Sequence, residues 1–145
     1  MAPHELAEAG TLAKALGMTE ELAEAIARVA EDELSAGRPD PARVILEGLV
    51  VANPRAAPAW LLLARAHRAL GQPLAARFCA EVAGSLQPGA ATALARAEGL
   101  LPFPEEREQA LQLLAAAAEE DCESGARARA LLAALRGGVR SVRDR

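Results

Sequence analysis

The side chains best suited to hold a metal or attack a substrate are two histidines and two cysteines, and their spacing serves neither purpose. His4, His67, Cys79 and Cys122 stand far apart along the chain, without the short steps of roughly two to five residues that a zinc ligand set uses. The acidic run Glu119-Glu120-Asp121-Cys122-Glu123 lacks the alternating oxygen ligands and the glycine of a calcium loop. It reads as a solvated helix end. No glycine-rich phosphate loop, nucleophile elbow or pair of catalytic carboxylates is found. No catalytic residue, metal or cofactor is expected, and His67 is read as a packed core side chain. Two cysteines are too few for a disulfide framework and fit reduced thiols in a cytoplasmic protein. The chemistry left to the chain is apolar contact and charge pairing, which a surface built from several elements must organise.

Those elements are helices. In 145 residues, enough for one domain that buries roughly two-thirds of its unfolded surface, alanine dominates and Trp60, Phe78 and Phe103 are the only aromatics. Alanine is the best helix former, and no β-branched alternating stretch reads as a strand. The apolar positions recur every 34 residues: Ile26, Trp60 and Leu94; Val29, Leu63 and Ala97; Ala42, Ala76 and Ala110; Leu46, Ala80 and Leu114; Leu49, Ala83 and Ala117. Gly37 pairs with Gly71, and Pro54 with Pro88. The pattern predicts an N-terminal helix over 4–16 closed by Gly17, then an N-cap at Thr19 with Glu20 and Glu21 in the first turn. Helices follow to about 36, then over 41–52, 57–70, 74–86, 91–101 and 105–120. Pro102-Phe103-Pro104 replaces the glycine turn in the third copy. A last helix over 125–135, stopped by Gly137-Gly138, is expected to cover the open end, and 136–145 is expected to be a flexible basic tail. The domain plan is thus a leader over 1–18 and repeats over about 23–56, 57–90 and 91–124 with their cap, together spanning 19–135.

A period of 34 residues is that of the tetratricopeptide repeat, with its W-x2-L-G-x2-Y, A-x3-F and P signature. The middle copy resembles it as Trp60-x2-Leu63-Ala64-x2-His67, Ala76-x3-Ala80 and Pro88. The resemblance implies an all-α solenoid of about three helix-turn-helix repeats that binds other proteins. It also implies which face binds. Positions 2, 5, 9 and 12 of each first helix look into a concave groove: Glu24, Ala27, Glu31 and Leu34; Pro58, Leu61, Arg65 and Arg68; Thr92, Ala95 and Gly99. The candidate peptide-binding residues are therefore Glu24, Ala27, Glu31, Leu34, Leu61, Arg65 and Arg68. Ala27, Leu34 and Leu61 give an apolar floor, with acid on one side and arginine on the other. A peptide could place apolar anchors there and pair charges at the rim. The bland alternative pairs Glu31 with Arg65, and Glu24 with Arg68.

A narrower likeness is carried by Gly10-Thr11-Leu12 and Gly17-Met18-Thr19, by Glu21-Leu22 through Gly37 with Ala42 to Leu49 and the close Leu49-Val50-Val51, by Gly71-Gln72 with Ala75-Ala76, and by Ala97-Glu98-Gly99-Leu100-Leu101. With these, the chain resembles the class II chaperones of type III secretion, the SycD/LcrH type, over about residues 10–118. The resemblance implies a cytoplasmic protein that holds a hydrophobic translocator client by a segment in the groove, and a possible homodimer through the N-terminal region. The chain departs from that group in having no tyrosine and no aromatic on the groove face of the first repeat. The alternative is a scaffold that links folded proteins. The net charge of −4, without a basic face, speaks against nucleic acid. No apolar run approaches the roughly 18–20 residues of a membrane span, and no basic region with an apolar stretch opens the chain as a signal peptide would.

Overall fold

The computed structural model describes residues 14–143, and in them every regular element is helical. In chain order these are α1 (Glu20–Ser35), α2 (Pro39–Ala52), α3 (Ala57–Ala69), α4 (Pro73–Leu86), α5 (Ala90–Leu100), a 3-10 turn (Pro104–Glu106), α6 (Arg107–Ala118) and α7 (Glu123–Arg143). Each helix packs on its sequence neighbours, with a second set of contacts from α3 to α5, from α1 to α3 and from α5 to α7. That nearest-neighbour stacking is the signature of a solenoid. The leader expected over 4–16 falls almost wholly outside the described residues.

Local sequence explains the helix ends. The Thr19 side chain accepts from the Leu22 amide at 3.1 Å, so α1 starts where a capping residue satisfies one of its orphan donors. Pro39, Pro58 and Pro73 sit in first turns, where the missing N–H costs nothing. The turns inside the first two repeats are copies of one another. Gly37 and Gly71 have φ of 77° and 70°. The Gly37 amide donates to Leu34 at 3.1 Å and the Arg38 amide to Glu33 at 2.8 Å; Gly71 donates to Arg68 at 3.1 Å and Gln72 to His67 at 2.9 Å. Both are Schellman closures, in which a left-handed glycine satisfies the last carbonyls of a helix. Even the side chains repeat. Arg38 donates to Glu33 at 2.6 and 3.0 Å, and His67 Nδ1 meets Gln72 Oε1 at 2.6 Å in the same two positions of the next repeat. His67 is thus a half-buried turn clasp rather than a core side chain.

The third repeat closes differently. Phe103 donates to the Leu100 carbonyl at 2.9 Å, and Arg77 from α4 holds the turn from outside. Its guanidinium lies 5.2 Å from the Phe103 ring centroid and donates to Glu106 at 3.0 Å. Pro104 opens a 3-10 turn, so α6 begins at Arg107, two residues later than the pattern suggests.

Two buried clusters make the core. One draws Ala30, Leu46, Leu49, Leu63, Ala64 and Ala80 from α1 to α4; the other draws Leu94, Leu100, Ala110, Leu114, Ala128 and Leu132 from α5 to α7. Small residues at Ala42, Ala76 and Ala110, each at 3% exposure or less, let the helices approach closely. Trp60 is half-buried. Its Nε1 donates to the Pro54 carbonyl at 2.8 Å, and its ring meets Phe78 edge-on at 6.2 Å.

The last helix corrects the expected cap. It spans Glu123–Arg143 instead of 125–135, and Gly137 and Gly138 lie within it without a left-handed φ. Two glycines in a helix cost about 1 kcal/mol each relative to alanine, which weakens a helix without forbidding it. The flexible tail expected from 136 is therefore helical through 143. Ala128 and Leu132 of this helix are buried in the second cluster. The Arg129 guanidinium donates to the Ala118 and Glu120 carbonyls at 2.7 and 3.3 Å, which satisfies the end of α6.

The concave groove as candidate binding site

The groove face is lined by first helices. A cavity of about 270 Å³ opens between α3 and α5, with Leu61, Leu62, Ala64, Leu94 and Ala95 as its apolar wall. Its rim is charged: Glu31 from α1, Arg65 and Arg68 from α3, Glu98 from α5, and Glu123 and Arg127 from α7. The helical rise of α3 explains the grouping, because Leu61, Arg65 and Arg68 are spaced four and three apart and share one side.

Of the seven candidate residues, the structure brings Glu31, Leu61, Arg65 and Arg68 together on this cavity. Ala27 and Leu34 are half-buried against the first cluster instead, and Glu24 stays exposed on α1, so none of the three lines it. The reason is positional: α1 has no first helix before it among the described residues, and the hollow deepens only where three first-helix faces converge. Ala95 and Gly99 lie on the cavity as their repeat positions imply. Thr92 does not. It is buried, and its hydroxyl donates back to the Gln87 and Gly89 carbonyls at 2.8 and 3.1 Å.

The charges form a chain across the helices. Arg65 lies 3.9 Å from Glu31, which is the bland pairing the repeat register allows. Arg68 pairs with Glu98 rather than with Glu24, and Arg127 stands 4.0 Å from the other Glu98 oxygen. Burial, then the nearby Arg127 and Arg65 charges, lowers the Arg68 pKa below the ordinary arginine value, so this cation is held in partly desolvated surroundings under repulsion from like neighbours. Glu98 and Arg127 were missed by sequence reasoning. A signal existed for Glu98: it follows Ala30 and Ala64 at the 34-residue spacing, so a carboxylate occupies a position that is a small helix-contact residue in the first two repeats. The close approach has moved one place, to Gly99, where an added Cβ would sit 3.2 Å from Arg77 Cα. No register could find Arg127, because it lies on the cap.

No group of three or more metal-ligating side chains occurs among the described residues. Cys79 is buried and its thiol pKa is pushed up to about 11, by burial first and then by Glu47, which makes it a core atom and not a nucleophile. No helix among the described residues is long and apolar enough to cross a membrane.

No protein-family model matches the chain, and no curated protein matches it by sequence. Solved structures do. A type III secretion system complex from Aeromonas hydrophila is similar at a TM-score of 0.76 and 25% identity, over 92% of this chain and 93% of that one. The type III secretion translocator chaperone SycD from Yersinia enterocolitica is similar at 0.73 and 19% identity, over 85% of this chain and 96% of that one. An alternative dimer of the same chaperone matches at 0.70 and 21% identity, over 82% and 95%. In architecture the chain is an all-α tetratricopeptide-repeat solenoid that resembles the type III secretion translocator chaperones.

Proposed function

We propose that this chain is a cytoplasmic secretion chaperone that holds a hydrophobic translocator client by an extended segment in its concave groove. The observation that carries the reading is the cavity between α3 and α5. Apolar walls at Leu61, Leu94 and Ala95 meet a rim of paired charges, which suits a peptide with an apolar anchor and polar flanks. The fold shared with a translocator chaperone supports the client class, and the dimer of that chaperone supports a homodimer for this chain. A protein with these faces acts by binding alone, without catalysis.

The test is co-purification of the tagged chain from its own cells, wild type beside Leu61→Glu. The expected result is one co-purifying protein with long apolar segments, stable only when co-produced, and lost from the Leu61→Glu sample while helicity is unchanged. A mixture of folded proteins retained by both samples would instead favour a scaffold that links folded partners.

A further inference from the structure

The groove does not stop at the third repeat. The Arg68–Glu98 pair that walls the Leu61 cavity also walls a second hollow, of about 440 Å³, between α5 and α7. This hollow is floored by Leu94, Leu101 and Leu131, with Ala130 on its α7 side. The two hollows therefore share Leu94 and are divided by an ionic bridge. The bridge is unevenly satisfied. The Glu98 side chain is 15% exposed and engaged by Arg68, whereas Arg127 is 63% exposed, and its closest carboxylate is Glu98 at 4.0 Å. A cation that faces water and is loosely held can take a partner carboxylate at little desolvation cost. Within this hollow the charged groups are Arg68 and Arg127 against the single carboxylate of Glu98, so a partner carboxylate fits there better than a second cation.

Resting on the peptide reading of the groove, we infer that the bound segment continues onto the cap helix, places a second apolar side chain in the hollow between α5 and α7, and sets an acidic side chain against Arg127 between its two anchors. The cap is then part of the binding surface as well as a lid on the core. Its charge pattern selects acidic over basic spacers.

The probe is a set of short fluorescein-labelled peptides with one or two leucines at varied spacing and Glu, Gln or Lys between them, read by fluorescence anisotropy. A second buried leucine is worth roughly tenfold in affinity or more. The wild type is expected to prefer a two-leucine peptide with Glu over the one-leucine peptide by about that factor. Ala130→Trp, at an exposed position, should fill the hollow without disturbing the core and erase that preference while one-leucine binding stays. Arg127→Gln should erase the preference for Glu over Gln. Equal affinity for one- and two-leucine peptides, or a preference untouched by Ala130→Trp, overturns the inference and leaves the groove reading standing. Binding that survives Leu61→Glu, or no binding by the wild type, overturns both.

Discussion

At the scale of single residues, the two thiols show how burial sorts identical groups. Cys79 is 3% exposed, and Cys122 is exposed at the start of α7, where its Sγ accepts from the Gly125 amide at 3.4 Å. Ellman's reagent near pH 8 is expected to modify Cys122 alone in the folded chain and both thiols after unfolding in urea; fast reaction of two in the native state would misplace Cys79. The raised Cys79 pKa also predicts a pH effect. Folding favours the neutral thiol, so its contribution is complete below the unfolded thiol value of about 8.5 and is lost as the pH rises towards about 11. The chain has no tyrosine, so no phenol ionises in that window. Denaturation midpoints measured across that window should fall with pH in the wild type and flatten in Cys79→Ala.

At the scale of elements, the turns carry the next predictions. Nothing lies within 4 Å of a Cβ added to Gly71 or Gly37, so alanine there is strained only by the left-handed backbone. Gly71→Ala should cost about 1–2 kcal/mol in a urea titration without loss of helicity. Gly125→Ala is different in kind. Its Cβ would run into the Glu120 carbonyl, so the junction of α6 and α7 must shift. The expected result is a larger loss, with amide exchange accelerated in α7 first; protection there equal to wild type would contradict this view of the cap. The first two turns were legible in the sequence because they repeat: Gly37 and Gly71, with Pro39 and Pro73 behind them, fix both the break and the restart of the helices. The third turn was only half legible. Pro102-Phe103-Pro104 announced a departure, but the hold that Arg77 takes on Phe103 and Glu106 joins residues on two elements, which a local pattern cannot show. The length of α7 was hidden for another reason, since a glycine pair discourages a helix by a cost that neighbouring residues can offset.

At the scale of the whole molecule, burial follows the repeat register with one systematic exception. The second-helix positions Leu46, Ala80 and Leu114 are fully buried in all three copies, whereas Val29 is 53% exposed where Leu63 and Ala97 are buried. First-helix positions are covered by the preceding repeat, and the first repeat has none among the described residues. The same logic locates the groove. It is deepest where a preceding and a following first helix both stand beside α3, so Leu61 and Arg65 line it while Ala27 and Leu34 turn into the core. Repeat positions therefore anticipated four of the residues that line this cavity, while the cap-borne Arg127 lay beyond any periodicity. Removing the buried Leu46 or Leu114 to alanine should cost about 2–5 kcal/mol each. Because the two clusters join through half-buried contacts such as Ala95, Leu114→Ala should loosen α5 to α7 more than α1 to α4 in native-state amide exchange; equal loosening would mean one undivided core.

The central claim is that a client lies along the concave face. It is tested most directly by site-specific photo-cross-linking in the native cells, with a photoreactive side chain placed at Ala95 inside the groove or at Val44, which is exposed on α2, a second helix. Cross-links from Ala95 to a single protein rich in apolar segments, with none from Val44, are the predicted result. Cross-links from Val44 with none from Ala95 would contradict it and place the partner on the second-helix face.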